Sequence, residues 1–167
     1  MSIRFIALFV LAALSTPTWA QATSIGQQMI DGSRTPLLIP DREAYMMLFL
    51  DLADGSSTRP LSDRLSDLTN AGLTPAEAAA AIATANRYKT AYDSVILKMK
   101  QIKAAAPAER FSPQLLAQFD ALFAQGWGTL AGIKLSLENT LGANAAGLLQ
   151  SYVNTNIKPH LSVVSGK

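Results

Sequence analysis

The chain has 167 residues, with 14 Lys and Arg, 12 Asp and Glu, a single His and no Cys, and 49% of it is hydrophobic. That apolar content can bury a core and its length suits one domain, so a wholly disordered chain is excluded. Without cysteine there are no disulfides, thiolate zinc sites, iron–sulfur clusters or cysteine nucleophiles, and one histidine cannot build a multi-histidine metal site.

The N-terminus reads as a cleaved export signal. Arg4 precedes the continuous apolar run of residues 5–14, and a polar, proline-containing stretch follows, ending at Ala20. The run is about half of the roughly 20 residues that a spanning helix needs, so no transmembrane anchor is expected after cleavage. The expected division is a signal peptide over 1–20, an N-terminal arm over 21–40 and a helical domain over 41–167. Removing residues 1–20 deletes only Arg4 and leaves 13 basic against 12 acidic residues. A net charge of +1 gives no general field for nucleic acid or an anionic membrane. Export without cysteine points to a bacterial periplasm or the cell exterior, because small eukaryotic secreted domains usually carry disulfides.

The arm is polar and then turn-like, with Pro36 and Pro40 framing Leu37-Leu38-Ile39, and it reads as a mobile segment leading into a short docking stretch. Asp41 stands where an N-cap belongs and Glu43 where a carboxylate suits the helix dipole, which predicts a helix over about 41–53. Its apolar residues lie on nearly every side, as in a central core helix. Pro60 opens a short amphipathic helix that ends near Asn70, with Gly72 as its stop.

Thr74-Pro75-Ala76-Glu77 predicts a capping box at the start of a helix of roughly 30 residues. Its inward stripe is Ala78, Ile82, Ala85, Tyr92, Val95, Ile96, Met99 and Ile102, with Asn86, Lys89, Asp93, Lys100 and Lys103 largely outward. Ser112-Pro113 repeats the capping pattern and opens another long helix, which reaches about Thr140. After an interruption at Gly142 a last helix runs toward Pro159, and the LSVV tail can dock as a short strand. No alternating pattern elsewhere competes with helix. The predicted fold is therefore all-α, a single-domain bundle of four or five helices.

Residues 31–77 hold eight acids against four bases, whereas residues 86–110 hold six bases against two acids. These opposite charges predict an acidic helix layer facing a basic one inside the fold.

No constellation supplies the parts of an enzyme. His160 has no imidazole or thiolate partner, and Asp51 and Asp54 lack the remaining ligands of a calcium loop. Glu77 and Glu43 are explained by capping and the helix dipole, and no serine elbow, P-loop or dinucleotide fingerprint occurs. A non-catalytic protein without cofactor or metal is expected.

Gly126, Gly128 and Gly132 interrupt a strongly helical run at about 1 kcal/mol each. Either a second helix packs closely on the stripe they form with Ala124, or their missing side chains leave a groove for an apolar ligand at Trp127, Gly128 and Gly132. Close packing is the more ordinary use of such a stripe.

Leu73-Thr74-Pro75-Ala76-Glu77 and Phe111-Ser112-Pro113-Gln114-Leu115 resemble in part the LTxxQ motif of periplasmic helical chaperones and metal-stress sensors. Both lack its final Gln, two independent helix caps give the same pattern, and no family function is carried across. The expected function is an exported helical binding or interaction protein of unknown partner. The alternatives are a small apolar-ligand carrier with a groove near Trp127 and a periplasmic chaperone-like bundle.

Overall fold

The computed structural model describes residues 28–105 and 112–165. The expected signal over 1–20, the start of the arm and Phe111 of the second motif copy lie outside the described residues. The rest is a mostly helical bundle, in the order β1 (Gln28–Asp31), α1 (Asp41–Leu52), α2 (Leu61–Asn70), α3 (Pro75–Ala105), α4 (Pro113–Tyr152) and β2 (Ser162–Ser165).

The caps explain most of the boundaries. At α3 the Thr74 backbone N–H and hydroxyl both donate to Glu77 Oε2, at 2.7 and 2.8 Å, and the Glu77 N–H donates back to Thr74 Oγ1. At α4 the Leu115 N–H donates to Ser112 Oγ. After α2, Gly72 takes φ +101°, a conformation that L side chains rarely adopt, and lets the Leu73 N–H reach the Leu68 carbonyl. Gly142, with φ 76° and ψ 168°, kinks α4 where the sequence predicts the break.

Asp41 is not the N-cap. Pro40 holds that position without a side-chain bond, and Asp41 is the first helical residue, its Oδ1 2.6 Å from the Nζ of buried Lys158.

The arm also differs from the expectation. Gln28–Asp31 forms a strand paired antiparallel with Ser162–Ser165, so the tail docks on a segment in which no alternating pattern is visible. Gly32 permits this closure, because its N–H donates to the Leu161 carbonyl and a Cβ there would overlap the Lys158 carbonyl oxygen. Ile39 is buried in the core, while Leu37 and Leu38 are exposed.

The core collects around α1. Tyr45, Leu48, Phe49 and Leu52 meet Leu68 of α2, Ala78, Ala81, Ile82, Ala85 and Tyr88 of α3, and Leu130, Leu137 and Leu149 of α4. Two cations fix the ends of α1. Lys158 pairs with its first residue, and the buried Arg64 guanidinium donates from Nη1 to the Leu52 carbonyl and from Nη2 to Asp54 Oδ1 at 2.7 Å.

The predicted acid–base layering is not what the charges do. Asp51 and Asp67 are held by Arg59, Asp54 by Arg64 and Asp41 by Lys158, all outside residues 86–110. Lys89 pairs within its own helix with Asp93. Asn86, expected to face outward, bridges to the turn after α1 by accepting from the Asp54 N–H at 2.7 Å and donating to Asp54 Oδ2.

Candidate functional site

At about 1.5 Å per residue α3 is some 45 Å long, whereas the twelve residues of α1 cover less than half of that. The α3–α4 hairpin therefore outruns its third helix. Buried side chains of α3 stop at Tyr88 and those of α4 begin at Leu130, and none from Ala91 to Ala105 or from Pro113 to Thr129 is buried. The apolar stripe continues along the hairpin nevertheless, because Tyr92, Val95, Ile96 and Met99 keep the helical spacing of the core residues before them.

Where α1 ends its cover, the two helices leave a narrow, half-open groove of about 40 Å³. Its walls are Tyr88, Ala91, Tyr92, Val95, Ile96 and Met99 of α3 and Leu122, Phe123, Gly126, Trp127 and Thr129 of α4, with Met46 of α1 at one end. The exposed surface of this lining is almost wholly apolar. A relay of aromatic rings connects it to the core: Tyr92 to Tyr88 at 6.0 Å between centroids, Tyr88 to Phe49 at 5.6 Å and Phe49 to Tyr45 at 5.9 Å. Burial pushes the Tyr88 and Tyr92 phenols up, so the groove presents them as neutral hydroxyls at ordinary pH.

Charge sits at the rim. The Arg42 guanidinium stacks 5.1 Å over the Trp127 ring, and its Nε donates to Glu43 Oε1 at 2.7 Å. The second Glu43 oxygen, Oε2, is buried without a partner.

Of the residues singled out in the sequence, Trp127 lines the groove, and Gly128 and Gly132 do not. Both glycines are exposed, and a Cβ on either would meet nothing within 4 Å. Close packing of a described helix therefore does not explain the stripe, since among the described residues no neighbouring backbone occupies the space that the missing side chains leave. Gly126 is the glycine in the wall, and a Cβ there likewise meets nothing within 4 Å. Sequence reasoning missed Tyr88, Met46 and Arg42. The four-residue step from Tyr88 to Tyr92 could have revealed the first, but no local signal places Arg42 over a tryptophan 85 positions away.

Elsewhere, Thr74 with Glu77 and Ser112 with Leu115 form helix caps, which account for the described residues of both motif copies. His160 is exposed in a short turn after α4. Among the described residues no cluster of three or more His, Asp or Glu is placed to hold a metal, and no helix is long and apolar enough to cross a membrane. A polar cleft of about 260 Å³ between Asp67, Asn70, Tyr152 and Asn156 lies beside the Arg59 ion pairs. No protein-family model matches the chain, and no curated protein or solved structure does so either.

Proposed function

We propose that the protein is an exported, non-catalytic binding protein that carries an apolar guest in the groove between α1, α3 and α4. In this reading residues 1–20 are removed on export to the periplasm or the cell exterior, and a single-domain four-helix bundle remains. The groove itself carries the proposal: its lining is almost wholly apolar, and it lies half-open between three helices with no buried side chain among the described residues covering it. Burying that surface under a guest is favourable by about 25 cal/mol per Å². Two phenols, the Trp127 indole N–H and the Thr129 hydroxyl are the polar side-chain groups of its lining, which suits binding better than acid–base chemistry.

The test has two readouts on protein secreted from cells expressing the full chain. Native followed by denaturing mass spectrometry should show a chain beginning near residue 21 and a small-molecule mass that is lost on denaturation. The neutral probe N-phenyl-1-naphthylamine should bind saturably and quench Trp127. A chain retaining residues 1–20 would overturn export with cleavage, and absence of saturable probe binding would overturn the apolar-guest reading.

A further inference from the structure

We propose that the guest is a single-chain carboxylate of the fatty-acid type, its chain along the groove and its head group held by Arg42 at the Trp127 end. The inference rests on the reading of the groove as a binding site and adds the chemical class of what it binds.

The chain follows from what the wall lacks. A peptide laid in the groove would bring backbone N–H and C=O groups against an almost wholly apolar surface, where each unpaired group is costly. An acyl chain buries only methylenes and leaves nothing unsatisfied.

The head group follows from the rim. Arg42 stands one turn before Met46 and stacks on Trp127, and both of those residues line the groove. Its Nε is taken by Glu43, and among the described residues no acceptor meets its two terminal NH₂ groups. The free end of the guanidinium thus presents two parallel donors, the fork that a carboxylate fills.

Charge along the groove has the same sign. Lys98 on one side of the α3 stripe and Lys100 and Lys103 on the other are exposed and have no ion-pair partner among the described residues, while Asp93 is occupied by Lys89. Among the described residues of this part of the hairpin only Asp120 opposes them, and at the Arg42 end the one nearby carboxylate, Glu43, is engaged by the guanidinium Nε. A second copy docking here would set like charges against each other, whereas an anionic guest meets complementary ones.

Calorimetric titration of the secreted protein with dodecanoate and dodecanol, both below their micelle concentrations, is the test. Dodecanoate should bind about tenfold or more tightly than dodecanol. Arg42→Gln should remove that advantage by weakening dodecanoate at least tenfold more than dodecanol, and Arg42→Lys should keep part of it. Equal affinities, or an Arg42→Gln loss shared by both ligands, would overturn the head-group assignment and leave the apolar-guest reading standing. Binding of neither ligand would overturn both. Lysophosphatidylglycerol binding more tightly than dodecanoate, or association only with phosphatidylglycerol vesicles, would overturn the carboxylate in favour of a phospholipid or a membrane surface.

Discussion

Lys158 Nζ lies 2.6 Å from Asp41 Oδ1, joining a buried cation near the C-terminus to the first residue of the central helix. The pair is asymmetric, because the lysine is almost fully enclosed and the aspartate is half exposed. Removing the carboxylate leaves a buried charge without its partner, whereas removing the charge leaves a carboxylate that water can still reach. Asp41→Asn should therefore cost about 1–3 kcal/mol and Lys158→Met less than that. Urea denaturation of the two variants checks the order, and a larger loss in Lys158→Met would mean that packing of the lysine stem outweighs the ion pair.

Arg64 makes the corresponding contact at the other end of α1. Its guanidinium joins the Leu52 carbonyl to Asp54, so Arg64→Met should cost about 2–4 kcal/mol, and Arg64→Lys should recover little because one ammonium cannot span both acceptors. Hydrogen bonds from Arg64 and then from Asn86 hold the Asp54 carboxyl below its usual range, and the Thr74 N–H and hydroxyl do the same for Glu77. Both groups have depressed folded-state values. Their contribution is complete above about pH 4–5, where the unfolded carboxyls are already ionised, and is lost as pH falls through the folded values. Stability measured against pH should decline on that acid side, and Glu77→Gln should flatten part of the decline.

The fold was more legible than the site because its signals are local. Thr74 with Glu77, Ser112 with Leu115 and Gly142 each act within a few residues, and each marks a helix boundary or kink that the structure has. The strand Gln28–Asp31 escaped because nothing in four residues of mixed polarity shows that a partner lies 131 positions or more away. The acid and base totals misled for a similar reason, since Arg59, Arg64 and Lys158 take the acids before the α3 lysines can. In the groove, the apolar stripe of α3 was readable, but that α1 stops short of covering it is a property of the assembled helices. Arg42 on Trp127 is likewise a tertiary contact.

All four tyrosines of the chain, Tyr45, Tyr88, Tyr92 and Tyr152, have phenols pushed upward, in each case chiefly by burial. A raised folded-state value gives a contribution that is complete below the unfolded value, about pH 10, and lost as pH rises through the folded one. Native protein should therefore show little tyrosinate absorbance near pH 10. The absorbance should appear together with loss of the helical circular dichroism signal, as alkali unfolds the chain. A full tyrosinate spectrum with helicity intact would show that the ring relay from Tyr45 to Tyr92 is open to solvent.

Three of the glycines of α4 separate stability from binding. Gly126, Gly128 and Gly132 each have open space where a Cβ would stand, so Ala at any of them adds helix propensity without a clash. Gly128→Ala and Gly132→Ala should each stabilise the fold by about 0.5–1 kcal/mol and leave probe affinity unchanged, because neither residue lines the groove. Gly126→Leu should also raise the melting temperature, since leucine is a good helix former and its side chain gains apolar contacts in the groove. The same side chain occupies the guest's volume, so N-phenyl-1-naphthylamine binding should fall at least tenfold. A variant that melts higher and binds less assigns the glycine to the site, since a merely destabilised fold cannot show both changes; unchanged probe affinity in Gly126→Leu would place the guest somewhere other than beside Trp127.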